Sequence, residues 1–379
     1  MRKNLFYVIG FILLIACSAS TLEEVPMGIG KYTVFNSGDD DVNSYRIPSI
    51  VTATDGSLLV FCEARRESWR DKSRTDIVLK RSTDGGKTWS AMQDLTQGNT
   101  GAYMDPTPVV DTITGQIFLF TIFWPTNDHS GKQNKAFLLT SDDHGKTWTA
   151  PKDITNNLLP NGKAPNGFGP GSGLQMQGNT YKGRLIIPMR VSDAEGKNTR
   201  DVTVYSNDHG TIWHLGKNSD ADNEFQIAES PHNTLIYNAR ISNGRLISRS
   251  TNGGITWTKS MKDAYLPGVS KGCQASVLGD GDNLYFTGIQ GIPATDEFDE
   301  RARLMLYTSK DGGVTWDQGK LLYEHASGYS CITKLCDGRL AVIFETADAP
   351  AFTRKSIEGT NPPKRPAGWM KLDIILLEN

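Results

Sequence analysis

Ser82-Thr83-Asp84-Gly85-Gly86-Lys87-Thr88-Trp89 is the first of five near-copies of one phrase, Ser-x-Asp-x-Gly-x-Thr-Trp, in a chain of 379 residues. It returns as Ser141-Asp142-Asp143-His144-Gly145-Lys146-Thr147-Trp148, then as Ser206–Trp213, where Ile212 takes the threonine position. The fourth copy, Ser250–Trp257, carries Asn252 in place of aspartate, and the fifth, Ser309–Trp316, is regular. The starts lie 59, 65, 44 and 59 residues apart, a period that marks stacked supersecondary units. The phrase reads as a hairpin turn. Asp or Asn bonds to neighbouring backbone, glycine supplies positive φ, and Thr-Trp restarts a strand.

Strand-like runs precede the copies, among them Ile77–Leu79, Ala136–Leu139, Val202–Tyr205 and Leu304–Tyr307. No stretch has the period of a long amphipathic helix, so the pattern predicts an all-β chain. Radial repetition protects the sheet edges of such an array. The spacing therefore predicts a six-bladed β-propeller of four-stranded antiparallel sheets, with five blades carrying the phrase. The sixth is expected from Leu340–Phe344 and Leu372–Leu377 joined by the first strand near Tyr32–Phe35, closing the ring. The phrase itself has no catalytic content, and it lacks the acidic ligand series of a calcium loop.

Residues 1–17, MRKNLFYVIGFILLIAC, place two basic residues before an apolar run too short to span a bilayer. The layout is that of an export signal over 1–16, and Leu14-Ile15-Ala16-Cys17 resembles a bacterial lipoprotein box with Cys17 as the lipidated residue. A membrane-anchored location outside the cytoplasm is expected, or else plain secretion, with 17–30 as a linker and 31–379 as the propeller. Lysine and arginine number 40 against 42 acidic residues, which removes the basic excess of a nucleic-acid protein. A hydrophobic share of 38% and a charged share of 22% argue against disorder. Cys62, Cys273, Cys331 and Cys336 make no disulfide scaffold and have no metal-ligand spacing; Cys331 and Cys336 could pair, or the thiols could be free and buried. No metal and no cofactor is expected.

Tyr45-Arg46-Ile47-Pro48-Ser49 resembles the Arg-Ile-Pro motif near the start of sialidase (neuraminidase) catalytic domains, a family in which the repeated phrase is the Asp-box. Phe61-Cys62-Glu63-Ala64-Arg65 is similar to the family's second arginine segment, with Asp71 six residues later. Met104-Asp105-Pro106 resembles a further pocket segment, and Glu224–Glu229 with Tyr237-Asn238-Ala239-Arg240 resembles the glutamate and Asn-Ala-Arg elements. Arg301, then Ser327-Gly328-Tyr329-Ser330 and Phe344-Glu345, complete the series in the expected order.

The resemblance implies an exo-α-sialidase that removes terminal sialic acid from glycoconjugates with retention of configuration. Arg46, Arg240 and Arg301 would hold the substrate carboxylate, since arginine is the planar bidentate donor. Arg65, Asp105 and Met104 would contact the sugar. Tyr329 would be the nucleophile, the recognised exception to paired carboxylates: a neutral phenol avoids the repulsion a carboxylate would meet at a centre that already bears one. An ordinary tyrosine pKa is near 10, so Glu224 would take its proton. Asp71 would be the general acid and later the base, and Glu345 would orient Arg46. Glu229, Arg303 and Asp76 stand as alternatives to Glu224, Arg301 and Asp71. Trp69, Trp124 and Phe168 are candidate rim aromatics, and the glycine-rich Asn166–Gly173 a loop near the pocket mouth. Two further readings remain open: transfer to another acceptor, including an intramolecular one, and a non-catalytic carbohydrate-binding propeller. The expected oligomeric state is a monomer.

Overall fold

In a computed structural model of the chain, which describes residues 29–125, 128, 130–159, 162–353 and 370–377, every repeat turn joins the third and fourth strands of a blade. The first blade is Ser44–Thr52, Leu58–Arg65, Thr75–Ser82 and Gln93–Asp94. The second is Ala102–Val110, Ile117–Trp124, Lys135–Ser141 and Lys152–Asp153. The third runs from the inner strand Ala164–Phe168 through Leu185–Ser192 and Arg200–Ser206 to His214–Leu215. The fourth is Phe225–Ser230, Thr234–Ile241, Gly244–Ser250 and Met261–Lys262. The fifth begins with Ser276–Asp280, Asn283–Ile289 and Ala302–Ser309.

One 15-residue strand, Lys320–Lys334, serves two blades. Its first half is the outer strand of the fifth, with Ala326 opposite Ala302, and its second half is the inner strand of the sixth, with Ser327 opposite Thr346. The sixth blade continues through Leu340–Thr346 and Lys371–Leu377 and ends on the N-terminal strand Ile29–Asn36. That strand pairs antiparallel with the last one, Ile29 opposite Leu377 and Asn36 opposite Lys371. The ring is therefore closed as expected, by the two ends of the chain in one sheet. The export segment 1–16 and Cys17 lie outside the described residues, as do the linker residues up to 28.

The turn chemistry is visible atom by atom. Ser82 Oγ donates to Asp84 Oδ1 at 2.8 Å and accepts from the Gly86 amide at 2.9 Å, while Asp84 accepts from the Thr88 amide (2.9 Å) and hydroxyl (2.6 Å). These donors hold the Asp84 carboxyl below its ordinary value. The fourth copy keeps the geometry with the last bond reversed, the Asn252 amide donating to Thr256 Oγ1 at 2.7 Å. The glycine has a packing reason as well: a Cβ on Gly145, at φ +80°, would lie 2.1 Å from Leu59 Cδ2 of the preceding blade. The five tryptophans pack among the apolar residues between sheets; Trp213, for example, meets Phe118 and Phe120 edge-on at 5.4 and 4.8 Å.

In the third copy the exposed Ile212 donates to Asp208 only through its amide, at 2.9 Å. Ile212→Thr restores a hydroxyl for Asp208 and removes exposed apolar surface. It is expected to stabilise the fold by up to about 1 kcal/mol, read as a higher denaturation midpoint; an unchanged midpoint would show that the hydroxyl adds nothing there.

The turns occupy one end of the barrel of blades. Leu58 pairs with Ser82 at that end, and Arg65 with Thr75 at the other. The Asp-boxes thus lie on the face opposite Arg46 and Arg65. Cys62, Cys273 and Cys331 are buried free thiols and Cys336 is an exposed one, so Cys331 and Cys336 are not joined.

Candidate active site

A cavity of about 440 Å³ opens at the face opposite the Asp-boxes, around the propeller axis. Three pairs of consecutive residues line it: Arg46 and Ile47, Asp71 and Lys72, Met104 and Asp105. In an extended chain neighbours point to opposite faces. Here the second member of each pair has a left-handed backbone, with φ +55° at Ile47, +62° at Lys72 and +55° at Asp105, and this turns both side chains to the cavity. The strand registers break at the same places, between Arg46 and Ser49 and between Met104 and Thr107. Bulges that re-aim side chains beside a site are a recurrent device, and one more, between Ser327 and Ser330, presents Tyr329.

Tyr329 Oη lies 2.5 Å from Glu224 Oε1 and accepts a hydrogen bond from Arg240 Nη1 at 2.8 Å. The same Arg240 Nη1 meets Glu224 Oε2 at 2.8 Å. The Arg240 amide bonds to the Glu224 carbonyl at 2.8 Å, which sets the two side by side. Burial and the Glu224 charge push the Tyr329 phenol well above its ordinary value. For Glu224 burial acts upward, but Arg240, Arg190 and the phenol outweigh it and hold the carboxyl below its usual range. The resting pair is therefore a protonated phenol donating to a carboxylate.

Glu345, fully buried, accepts from Arg46 Nε at 3.0 Å and Nη2 at 3.1 Å, and also from the Ile47 and Tyr329 amides at 3.0 and 3.2 Å. Arg46 and Arg301 each place their guanidinium 5.5 Å from the Tyr329 ring centre. Among the described residues Arg301 forms no salt bridge with a carboxylate, and its one side-chain hydrogen bond is a long 3.4 Å contact to the Gly272 carbonyl. Arg65 is buried, gripped by Glu63 Oε2 at 2.9 and 2.7 Å, and its Nη1 is 2.7 Å from Asp71 Oδ1. Arg65 and, beyond it, Arg46 at 3.9 Å hold the Asp71 carboxyl low. The Asp71 side chain is 68% exposed on the segment between two strands.

The side chains expected for proton transfer, nucleophilic attack and carboxylate binding thus meet, and the alternatives fall elsewhere. Glu229 accepts from the Gln177 and Gly178 amides and lines a different cavity. Arg303 pairs with Glu324 and Gln290, and Asp76 with Arg66. Trp124 lines the cavity, whereas Phe168 is fully buried in the core and Trp69 packs beside Phe352 and Met370; neither is a cavity-lining aromatic. The glycine-rich segment begins as an inner strand, Ala164–Phe168, not a loop, with Asn166 in the cavity wall.

Sequence reasoning missed Arg190, Glu63 and Lys72. Arg190 Nη2 bonds to Asp105 Oδ2 at 2.6 Å in a slot kept open by Gly167, where a Cβ would lie 2.0 Å from Arg190 Nη2. Burial, with Glu63 and Glu224 nearby, pushes the Asp105 carboxyl up to about 8 despite Arg190. The slot was foreshadowed only by the glycines of 166–173. Among the described residues no group of His, Cys, Asp and Glu has the arrangement of a metal site.

The model of the BNR repeat-like domain matches residues 100–342 and that of the BNR/Asp-box repeat residues 80–91. The chain is 30% identical over 270 residues to a sialidase of Clostridium perfringens, covering 65% of this chain and 69% of that protein. The chain belongs to the sialidase family. A sialidase of Bacteroides fragilis is 29% identical over 359 residues, 85% of this chain; the chain spans 63% of that relative's length. Among solved structures, the Hadza microbial sialidase Hz136 superposes with a TM-score of 0.73 at 28% identity, over 85% of this chain and 67% of that one.

Proposed function

We propose that the protein is an exo-α-sialidase that hydrolyses terminal α-linked sialic acids of glycoproteins, glycolipids and oligosaccharides through a covalent sialyl–tyrosine intermediate. The observation that carries the reading is the 2.5 Å contact between Tyr329 Oη and Glu224 Oε1 amid three arginines. Arg46, Arg240 and Arg301 bind the carboxylate, with Arg301 supplying donors that no described carboxylate occupies. Tyr329 Oη attacks the anomeric carbon as its proton passes to Glu224; the phenol, held protonated at rest, needs that base at the moment of attack. Asp71 gives a proton to the leaving glycosidic oxygen, whose bond to the anomeric carbon breaks. Water activated by Asp71 then attacks the same carbon, and Tyr329 leaves with the proton returned by Glu224.

Asp71 must exchange its Arg65 contact for the glycosidic oxygen to act as an acid. Its exposure permits the movement, and the arriving substrate carboxylate raises its pKa by adding a like charge beside it. Met104, Asp105 and Arg65 face the sugar ring. Export and lipidation at Cys17 belong to the same proposal.

Incubation with a fluorogenic α-sialoside tests the activity, and NMR of the first product tests its stereochemistry. Release of the α-anomer before mutarotation is expected. No release sinks the hydrolase reading, and β-anomer as first product sinks the intermediate.

A further inference from the structure

Six side-chain cations line the cavity, and four of them are paired: Arg46 with Glu345, Arg65 with Glu63, Arg190 with Asp105 and Arg240 with Glu224. Arg301 and Lys72 are left over. Arg301 completes the cluster for the substrate carboxylate, which leaves Lys72 without an assignment. Its ammonium sits 3.6 Å from the centre of the Trp124 ring and makes no hydrogen bond or salt bridge to a described residue. Among the described residues none accepts from its three N–H groups, and the aromatic face beside it is an attractive seat for a cation that satisfies no N–H. Burial lowers the Lys72 pKa in spite of Asp71 and Asp128, so the charge gains from any anion that replaces lost water.

Position says where that anion must come from. Lys72 follows Asp71 directly, and its left-handed backbone turns it to the same cavity. Resting on the reading of Asp71 as the group that protonates the leaving oxygen, this wall faces the leaving sugar. The carboxylate of the scissile sialic acid is already taken by three arginines on the Tyr329 side.

We propose that Lys72 is a specificity-determining residue that favours substrates bearing an acidic group, carboxylate or sulfate, on the sugar that departs. The buried Trp124 ring holds the ammonium in place. A second sialic acid in α2,8 linkage supplies a carboxylate there, and a sulfated galactose supplies a sulfate.

The test compares initial rates of wild type, K72M and K72R on α2,8-disialyl-lactose, on 3′-sialyllactose sulfated at the galactose, and on plain 3′-sialyllactose. A charge-assisted hydrogen bond sets the scale: K72M is expected to lose about tenfold more kcat/KM on an acid-bearing glycoside than on the neutral one. K72R is expected to keep the wild-type ratio, and added salt to compress it. A loss confined to the disialoside assigns the carboxylate, and one confined to the sulfated sugar assigns the sulfate. Equal loss on all three glycosides would place Lys72 against the sialyl unit and overturn the proposal, as would no loss on either acidic one. If wild type releases nothing even from the fluorogenic sialoside, the hydrolase reading fails and this one with it; failure of the ratio alone leaves the hydrolase reading standing.

Discussion

Tyr329→Phe is expected to lower kcat for α-sialoside hydrolysis by at least about 10³-fold, the scale seen when an enzyme loses its nucleophile. The substitution deletes one oxygen and keeps the ring that lies between Arg46 and Arg301. Two hydrogen bonds disappear, those to Glu224 and Arg240, but these two stay paired with each other at 2.8 Å. Neither is left as an orphaned buried charge, so folding should be nearly intact and a sialic acid analogue should still bind within a few-fold of wild type. Binding kept while turnover is lost separates a nucleophile from a structural tyrosine. Full turnover in the variant would remove Tyr329 from the mechanism, and loss of binding together with turnover would show that the hydroxyl positions the arginines instead.

The repeat turns were legible because each is written in eight consecutive residues, and the closing strand because the repeat spacing calls for a sixth blade beyond the five that carry the phrase. The site was legible only as a set of motifs. Nothing local distinguishes Glu224 from Glu229: one precedes the strand Phe225–Ser230 and the other is its last residue but one, so one faces the substrate side and the other the Asp-box side. Arg190 sits in an apolar strand with no motif around it, and it enters the cavity only because Gly167, on a neighbouring strand, has no Cβ. Lys72 reads as an ordinary surface lysine until the left-handed backbone at φ +62° is known. Phe168 failed in the other direction. As an aromatic in a glycine-rich segment it suggested a rim, but its strand alternation sends it into the core beside Phe120. Local sequence carries turns and strand faces; which residues meet across blades depends on bulges and closures that pair positions far apart.

Glu345→Gln, although isosteric, is expected to damage stability and activity together. Four donors converge on this buried carboxylate: Arg46 Nε and the Ile47 amide on one oxygen, Arg46 Nη2 and the Tyr329 amide on the other. An amide has one accepting end, so either rotamer turns an NH₂ against two of those donors and leaves the Arg46 charge buried without its counter-ion. Breaking a buried pair from one side typically costs about 3–5 kcal/mol. Arg46 and Tyr329 are held by the same group, so kcat/KM should fall by at least about 10²-fold along with the denaturation midpoint. The acid limb gives an independent check. For Glu345 burial acts upward, but Arg46 and the bonds to it and to the Ile47 amide hold the folded carboxyl below its ordinary value. Its contribution is then present above the ordinary, unfolded carboxylate pKa and is lost as pH falls toward the depressed folded one. Wild type should therefore lose stability across that window more steeply than the glutamine variant, which has no proton to take up there. Equal acid slopes for the two proteins would mean that the Glu345 charge is not what holds Arg46. Equal stability at neutral pH would mean that the pair can be replaced by a neutral hydrogen-bonded one.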